Sequence, residues 1–326
     1  MQPPGTQLLS VVIPAHNEAA GIAHAVDVIR GVLESCAPDW EIIVVDDGSR
    51  DATFARIQDL ARQDARVKGL RFSRNFGKEA ALLAGLRAAR GDAVVTIDAD
   101  LQHPPHLIPA MLDAWEKGAR VVDAVKRRRK ADGLITRARA RVFNTLLSSL
   151  AGIDLQDSSD FKLLDRAVVD TITRQLPERH RFYRGLSAWV GYEREQILFD
   201  VEARARGEGK WTVRRLLSLA ATAVISFTSA PLRIVTVMGL ITLAFGLAVA
   251  TEAFVGWLQG RAVSGFITTL FVQLFLGSFI MISLGIIGEY IAKIYDEIKA
   301  RPPYLVDSRV GLEDDEAGQV RPREGR

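Results

Sequence analysis

The stretch Val94-Val95-Thr96-Ile97-Asp98-Ala99-Asp100-Leu101-Gln102 decides how the chain is read. Residues 93–97 form an apolar run of strand length, which stops on two carboxylates one residue apart, with a carboxamide two residues further on. Open α/β sheets bind ligands at the carboxyl ends of their strands, so both acids fall where a ligand would lie. Hard divalent cations prefer oxygen ligands and often take one or two carboxylates plus substrate phosphates. The sharp reading is a metal–diphosphate site. The bland one is a solvated loop carrying two acids.

The flanking sequence has the pattern of an α/β domain. Residues 8–13 read as a strand, and Asn17 is placed to cap a helix beginning near Glu18, with Ile22, Val26, Ile29 and Leu33 on one face. Residues 41–45 are a second strand ending in Asp46-Asp47-Gly48-Ser49, followed by a helix over 51–63, a strand over 67–72 and a helix over 77–90. Pro104 and Pro105 suit the first turn of the next helix. This alternation predicts an α/β fold with a doubly wound, mostly parallel sheet. Two strands thus end in acidic clusters, which such a sheet brings to one edge. The first turn reads Pro14-Ala15-His16-Asn17-Glu18, without the glycines of a dinucleotide-binding turn, and Gly77-Lys78 lacks the rest of a phosphate loop. Nicotinamide, flavin and ordinary ATP-dependent chemistry are excluded on those grounds.

A net charge of +3 over 326 residues does not call for nucleic acid, but it suits anionic substrates or a membrane surface. The single cysteine, Cys36, precludes an intrachain disulfide and reads as a buried thiol. Residues 1–7 have no signal-peptide pattern, so the catalytic part is expected in the cytoplasm.

Downstream, residues 120–125 read as a strand and 126–130 as a cationic run, either a solvated loop or a phosphate-binding one. Residues 132–150 and 165–176 read as helices, 180–185 as a basic aromatic loop and 197–204 as extended. The character then changes. Residues 212–233 suggest an amphipathic helix in the membrane interface. Residues 234–258 and 266–287 are each long and apolar enough to cross about 30 Å of hydrocarbon. Arg214, Arg215 and Arg233 before the pair, and Lys293, Lys299 and Arg301 after it, place both ends in the cytoplasm. The expected organisation is a catalytic domain over 1–211, the interfacial helix, a transmembrane hairpin over 234–300 and a disordered tail over 301–326. A homo-oligomer through the membrane helices is also expected.

Four stretches carry a resemblance: Val11-Val12-Ile13-Pro14-Ala15-His16-Asn17-Glu18, Val44-Val45-Asp46-Asp47-Gly48-Ser49, Phe72-Ser73-Arg74-Asn75-Phe76-Gly77-Lys78 and Asp98-Ala99-Asp100-Leu101-Gln102. Together with the hairpin they resemble glycosyltransferase family 2, and within it the polyprenyl-phosphate glycosyltransferases. That resemblance implies a GT-A fold, a nucleotide-sugar donor, Mg²⁺ or Mn²⁺, and a polyprenyl-phosphate acceptor at the bilayer. By position, Pro14, His16, Glu18, Val45 and Asp47 would hold the nucleoside, with His16 standing where relatives usually have Tyr. Asp98, Ala99, Asp100 and Gln102 match the donor and metal motif, with Asp98, Asp100 and Gln102 as metal ligands. Lys126 falls where an Arg on the donor phosphates is expected, and Arg204 and Lys210 match a basic pair whose intervening Ser is Gly209 here. Asp160 matches an acid on the acceptor side, and with Asp100 it is the expected catalytic residue. Arg181, Arg184, Arg214 and Arg215 would draw in the lipid phosphate or anionic headgroups. The implied reaction is an inverting hexosyl transfer. The rivals are a processive polysaccharide synthase and a catalytically silent membrane-binding scaffold.

Overall fold

A computed structural model describes residues 8–126, 159–176, 178, 182–199, 230–260 and 265–312. The predicted helix over 132–150, the interfacial segment up to residue 229, Arg181, Arg204 and Lys210 lie outside these residues. The described residues up to 199, together with 302–312, form one compact unit, and those from 230 to 301 form another.

The first unit is built from β1 (Leu9–Ala15), α1 (Ile22–Cys36), β2 (Trp40–Asp46), α2 (Thr53–Gln63), β3 (Val67–Phe72), α3 (Lys78–Ala88) and β4 (Ala93–Thr96). It continues with α4 (Ile108–Glu116), β5 (Val121–Lys126), β6 (Lys162–Asp165), α5 (Arg166–Asp170), α6 (Tyr183–Trp189), β7 (Arg194–Phe199) and β8 (Val306–Val310). Among the described residues the sheet has eight strands, in the order β7-β5-β6-β4-β1-β2-β3-β8. The pairs β1–β2, β1–β4, β2–β3 and β5–β7 are parallel, while β6 is antiparallel to both its neighbours and β8 to β3. The expected doubly wound, mostly parallel sheet is therefore present.

Side chains alternate between the two faces of a strand, and both faces here are covered. Val11, Ile13, Ile42 and Val44 join a core with Val26, Ile29 and Ile57 of α1 and α2, while Val12, Ile43 and Val45 join one with Leu82, Leu83 and Leu86 of α3. That explains the unbroken apolar runs. Each fully buried Val, Leu or Ile contributes about 1.5–3 kcal/mol relative to exposure. The approach of α3 to β1 is close: a Cβ on Gly85 would sit 2.2 Å from Val12 Cγ1, so a larger residue would push the helix off the sheet.

Several local expectations are corrected. Asn17 does not cap α1, whose N-cap is Gly21; Asn17 instead occupies a left-handed turn at φ 56°. Cys36 is only half-buried. The predicted helix over 165–176 is a short α5 capped by the Asp165 side chain, which accepts from Ala167 N–H, and it continues as a π-helical turn over Thr171–Gln175. Residues 183–185, expected in a loop, open α6. Disorder was expected from residue 301 onward, but residues 304–310 are packed and paired. Ser73 N–H donates to the Leu305 carbonyl, Tyr304 stacks on Phe72 at 4.9 Å, and β8 pairs with the free edge of β3. Unpaired strand edges are open to further pairing, and this segment supplies the partner.

The second unit consists of α7 (Ala230–Leu258) and α8 (Phe266–Ile298). Two spans, Leu232–Leu258 and Phe271–Ile298, are long and apolar enough to cross a membrane. Phe245 and Phe275 meet between the helices at 6.3 Å, whereas Leu243, Trp257, Phe271 and Met281 point outward, each about 70% exposed. Such a continuous apolar exterior suits lipid. The second helix continues well beyond residue 287, where the apolar run was expected to end, and takes in Glu289, Lys293 and Asp296.

Candidate active site

Parallel strands present the residues that follow them at one edge, and an antiparallel strand presents there the residue that precedes it. In register, Ala15 lies opposite Asp46, Val12 opposite Thr96, and Thr96 opposite Lys162. The turns after β1, β2 and β4 therefore share an edge with Asp160, two residues before β6. They enclose a cleft of about 350 Å³ lined by Pro14, His16, Glu18, Asp47, Asn75, Lys78, Asp98, Ala99 and Asp100, among others. A second, more polar cleft of about 590 Å³ shares His16 and Asn75 with it and adds Arg50, Arg71, Arg74 and Asp307.

One side of the first cleft is organised by backbone amides. The Asp47 carboxylate accepts from Phe76 N–H at 2.7 Å and from Gly77 N–H at 2.9 Å. Burial pushes its pKa up, against the lowering effect of those two donors. Gly77 has φ 97°, a conformation open to glycine, and it starts α3 so that Lys78 is the first helical residue. The Nδ1–H of His16 donates to the Asp47 carbonyl at 2.9 Å, leaving Nε2 to accept from the amides of Asn17 at 3.0 Å and Asn75 at 3.2 Å. His16 is thus a hub between three loops.

The other side is organised by full charges. Lys78 Nζ lies 2.6 Å from Asp98 Oδ1 and 2.7 Å from Asp160 Oδ2. Arg184 grips Asp160 with a two-pronged contact, Nε to Oδ1 at 2.6 Å and a terminal nitrogen to Oδ2 at 2.8 Å. Burial raises the Asp160 pKa, but Arg184 and Lys78 outweigh it and hold the carboxyl well below the usual range. For Lys78, burial works against the charge, yet Asp160 and Asp98 prevail and raise its pKa. Beneath this cluster, Thr96 Oγ1 donates to the Asp160 carbonyl at 2.6 Å and meets the Tyr183 hydroxyl at 2.9 Å. Glu79 accepts from Tyr183 N–H at 2.7 Å, and burial pushes its pKa up to about 7. Deeper still, fully buried Lys162 and Asp123 pair at 2.6 Å, with Arg194 on the other Asp123 oxygen at 2.7 Å. Burial outweighs Asp123 and lowers the Lys162 pKa.

Asp100 is exposed, and its Oδ1 accepts from Gln102 N–H at 3.0 Å. That contact spans Leu101, which is held at φ 51°. A left-handed conformation costs a non-glycine residue about 1–2 kcal/mol, so the turn that presents Asp100 stores strain. Burial and the charge of Asp100 both raise the pKa of Glu18, a sign that acids converge here. Two carboxylates at one strand end suit a hard cation that completes its shell with phosphate oxygens and water. Among the described residues no three His, Cys, Asp or Glu side chains form a metal-holding group by themselves.

Of the residues expected in the site, Pro14, His16, Glu18, Asp47, Asp98, Ala99 and Asp100 line one cleft, and Asp160 joins through Lys78. Val45 does not line it; its side chain is fully buried in the core beside α3. The Gln102 side chain is exposed, and it is the backbone N–H that meets Asp100. Lys126 ends β5 in register with Phe199. The sequence reading assigned no role to Asn75, Lys78, Glu79 or Tyr183, and took Arg184 for a lipid contact. A signal existed for Lys78, which closes one of the four motif stretches.

A mostly parallel α/β sheet whose acidic strand ends line one cleft is compatible with the GT-A glycosyltransferase architecture. The family 2 glycosyl transferase model matches residues 10–173, and this chain belongs to that family. An uncharacterized glycosyltransferase of Synechocystis sp. is 41% identical over 307 residues, covering 94% of this chain and 96% of the relative. The bactoprenol glucosyl transferase of Shigella phage SfX is 38% identical over 306 residues, covering 92% and 99%. Among solved structures, mannosyl-3-phosphoglycerate synthase from Rubrobacter xylanophilus matches with a TM-score of 0.46 at 21% identity, covering 69% of this chain and 74% of that one.

Proposed function

We propose that this chain is an inverting, metal-dependent glycosyltransferase that moves a hexose from a nucleotide-sugar to a polyprenyl phosphate such as undecaprenyl phosphate. The observation that carries the reading is one chain joining the Asp47–Asp98–Asp100 cleft to two apolar helices of membrane length. Full-length similarity to a bactoprenol glucosyl transferase supports the acceptor class. The proposed location is the cytoplasmic membrane with both ends of the hairpin in the cytoplasm, a reading supported by the cationic flanks. Reporters fused after Arg326 and inserted at Gly260 should then mark opposite compartments, and a shared compartment would remove the hairpin.

In the reaction a phosphate oxygen of the lipid attacks the anomeric carbon as the bond to the nucleoside diphosphate breaks, which inverts the configuration there. The attacking phosphate monoester has a second pKa near ~6 and is largely dianionic at neutral pH. It needs no base, and Asp160, already engaged by two cations, is a poor one. Asp160 instead fixes Lys78 and Arg184, whose positive charges face the anionic substrates. Asp98 and Asp100 are the residues that would hold Mg²⁺ or Mn²⁺, with Gln102 N–H steadying Asp100. When bound, such an ion neutralises the charge of the leaving diphosphate. Pro14, His16, Glu18 and Asp47 form the part of the cleft assigned to the nucleoside.

The test is release of nucleoside diphosphate by the purified full chain in detergent, with a panel of nucleotide-sugars, Mg²⁺ or Mn²⁺, and undecaprenyl phosphate present or omitted. Release that requires both metal and lipid phosphate is expected. Release indifferent to the lipid would overturn the acceptor assignment.

A further inference from the structure

We propose that Lys78 is a built-in cation that competes with the divalent metal ion for Asp98, so that metal capture depends on the diphosphate of the donor. This rests on the reading of Asp98 and Asp100 as the metal's protein ligands.

The ammonium of Lys78 already sits 2.6 Å from Asp98 Oδ1. A Mg²⁺ ion on that oxygen would lie at about 2.0–2.1 Å. A metal ion on that carboxylate and the ammonium beside it would repel each other, so metal binding is opposed for as long as Lys78 keeps this contact. His103 Nδ1 lies 3.9 Å from the other Asp98 oxygen, so the contact with Lys78 is the tighter of the two. The protein offers little to offset the displacement. No third acid, His or Cys completes a metal shell among the described residues. A nucleoside diphosphate supplies both missing parts. Its oxygens complete the metal shell, and its negative charge gives Lys78 a new partner.

The local structure suits such a move. The start of α3 is fixed, because Asp47 holds Phe76 N–H and Gly77 N–H, whereas the Lys78 side chain is 39% exposed on a flexible four-carbon stem. The ammonium can leave Asp98, keep its contact with Asp160 at 2.7 Å and turn to a phosphate oxygen without any shift of the helix. Asp160 stays satisfied throughout by Arg184.

The experiment measures Mn²⁺ binding to the full chain in detergent by the loss of the free-ion electron paramagnetic resonance signal. The metal is added alone, with UDP or with GDP, to wild type, Lys78→Met and Lys78→Arg. Loss of a half-exposed ion pair that competes at one oxygen should tighten binding of Mn²⁺ alone about tenfold in Lys78→Met. The nucleotide's enhancement of Mn²⁺ binding should shrink by a similar factor, and Lys78→Arg should behave as wild type. A merely structural lysine would give the opposite sign, with weaker Mn²⁺ binding in Lys78→Met. That result, or unchanged affinity, overturns the proposal while leaving the metal site standing. Absence of Mn²⁺ binding in wild type with either nucleotide removes the metal reading, and this inference with it.

Discussion

Asp47 and Asp160 reach the same edge of the sheet, yet their carboxylates are held by different partners. Asp47 meets two backbone N–H groups of the loop before α3. Asp160 meets the ammonium of Lys78 and the guanidinium of Arg184. The consequence is visible in their acidities: burial prevails at Asp47 and raises its pKa, whereas the two cations prevail at Asp160 and lower it. Two backbone donors leave burial in control at Asp47, whereas two full positive charges favour the ionised form of Asp160. One half of the cleft is thereby a shaped surface and the other a set of charges.

Substitutions can test that division. The largest effect is expected at Asp100, which belongs to neither holding arrangement. Asp100→Asn should reduce turnover by about 10³-fold or more with Mg²⁺ or Mn²⁺, since metal-type charge stabilisation is lost. Its thermal unfolding should stay at the wild-type temperature, because the side chain is exposed. Asp160→Asn should cost less, about ten- to a hundredfold, chiefly as a raised KM for undecaprenyl phosphate. The rising limb of its pH–rate profile should persist near ~6, where the lipid phosphate ionises. Loss of that limb, with a several-thousand-fold fall in kcat and no change in KM, would make Asp160 a true base.

Asp47→Asn tests the amide-held half. Asparagine keeps one acceptor and turns an N–H toward a backbone N–H, so stability should fall by about 1–2 kcal/mol in denaturant titration. The donor KM should rise several-fold, and the acceptor KM should stay unchanged. The smallest effect on turnover is expected at Glu79, whose titration bears on stability instead. Its folded pKa, about 7, lies above the ordinary 4.5 because of burial. Between those values the unfolded chain has lost the proton while the folded chain keeps it, so stability declines as pH rises from 4.5 to 7. At about 1.4 kcal/mol per pKa unit, the decline is on the order of 3 kcal/mol. Glu79→Gln should flatten stability across that window, which a set of melting curves at several pH values will show.

The amide-held half was legible in the sequence and much of the charged half was not, for physical reasons. Apolar runs that end in acids declare both the strand and its functional end, because a parallel sheet fixes which edge those acids share. Thus Asp47, Asp98 and Asp100 were expected at one edge without any knowledge of distances, and they line one cleft. By contrast, β6 is four residues long and carries the fully buried Lys162, so it lacks the look of an interior strand. Only its antiparallel pairing with β5 and β4, and the Lys162–Asp123–Arg194 cluster, explain how a charge is tolerated there. The Arg184–Asp160 contact depends on α6, which begins inside a stretch that reads as a basic loop. In β8 the pattern Val306-Asp307-Ser308-Arg309-Val310 is too short to stand out among prolines and charges. The edge of β3 selects it as a strand.

The position of β8 in the chain also sets an order of assembly. The ribosome delivers β1 to β7 first, then α7 and α8, and only afterwards the residues that close the sheet on β3. Until then the β3 edge, with the face of Phe72 that Tyr304 later covers, stays open. An open edge is a site for mispairing and aggregation in incomplete chains. The sheet can be completed only after the segment from residue 230 to 298 has been made. A chain stalled within the hairpin would therefore carry an unfinished sheet edge beside the loop that holds Asn75 and leads into α3, so completion of the catalytic unit follows synthesis of the apolar one.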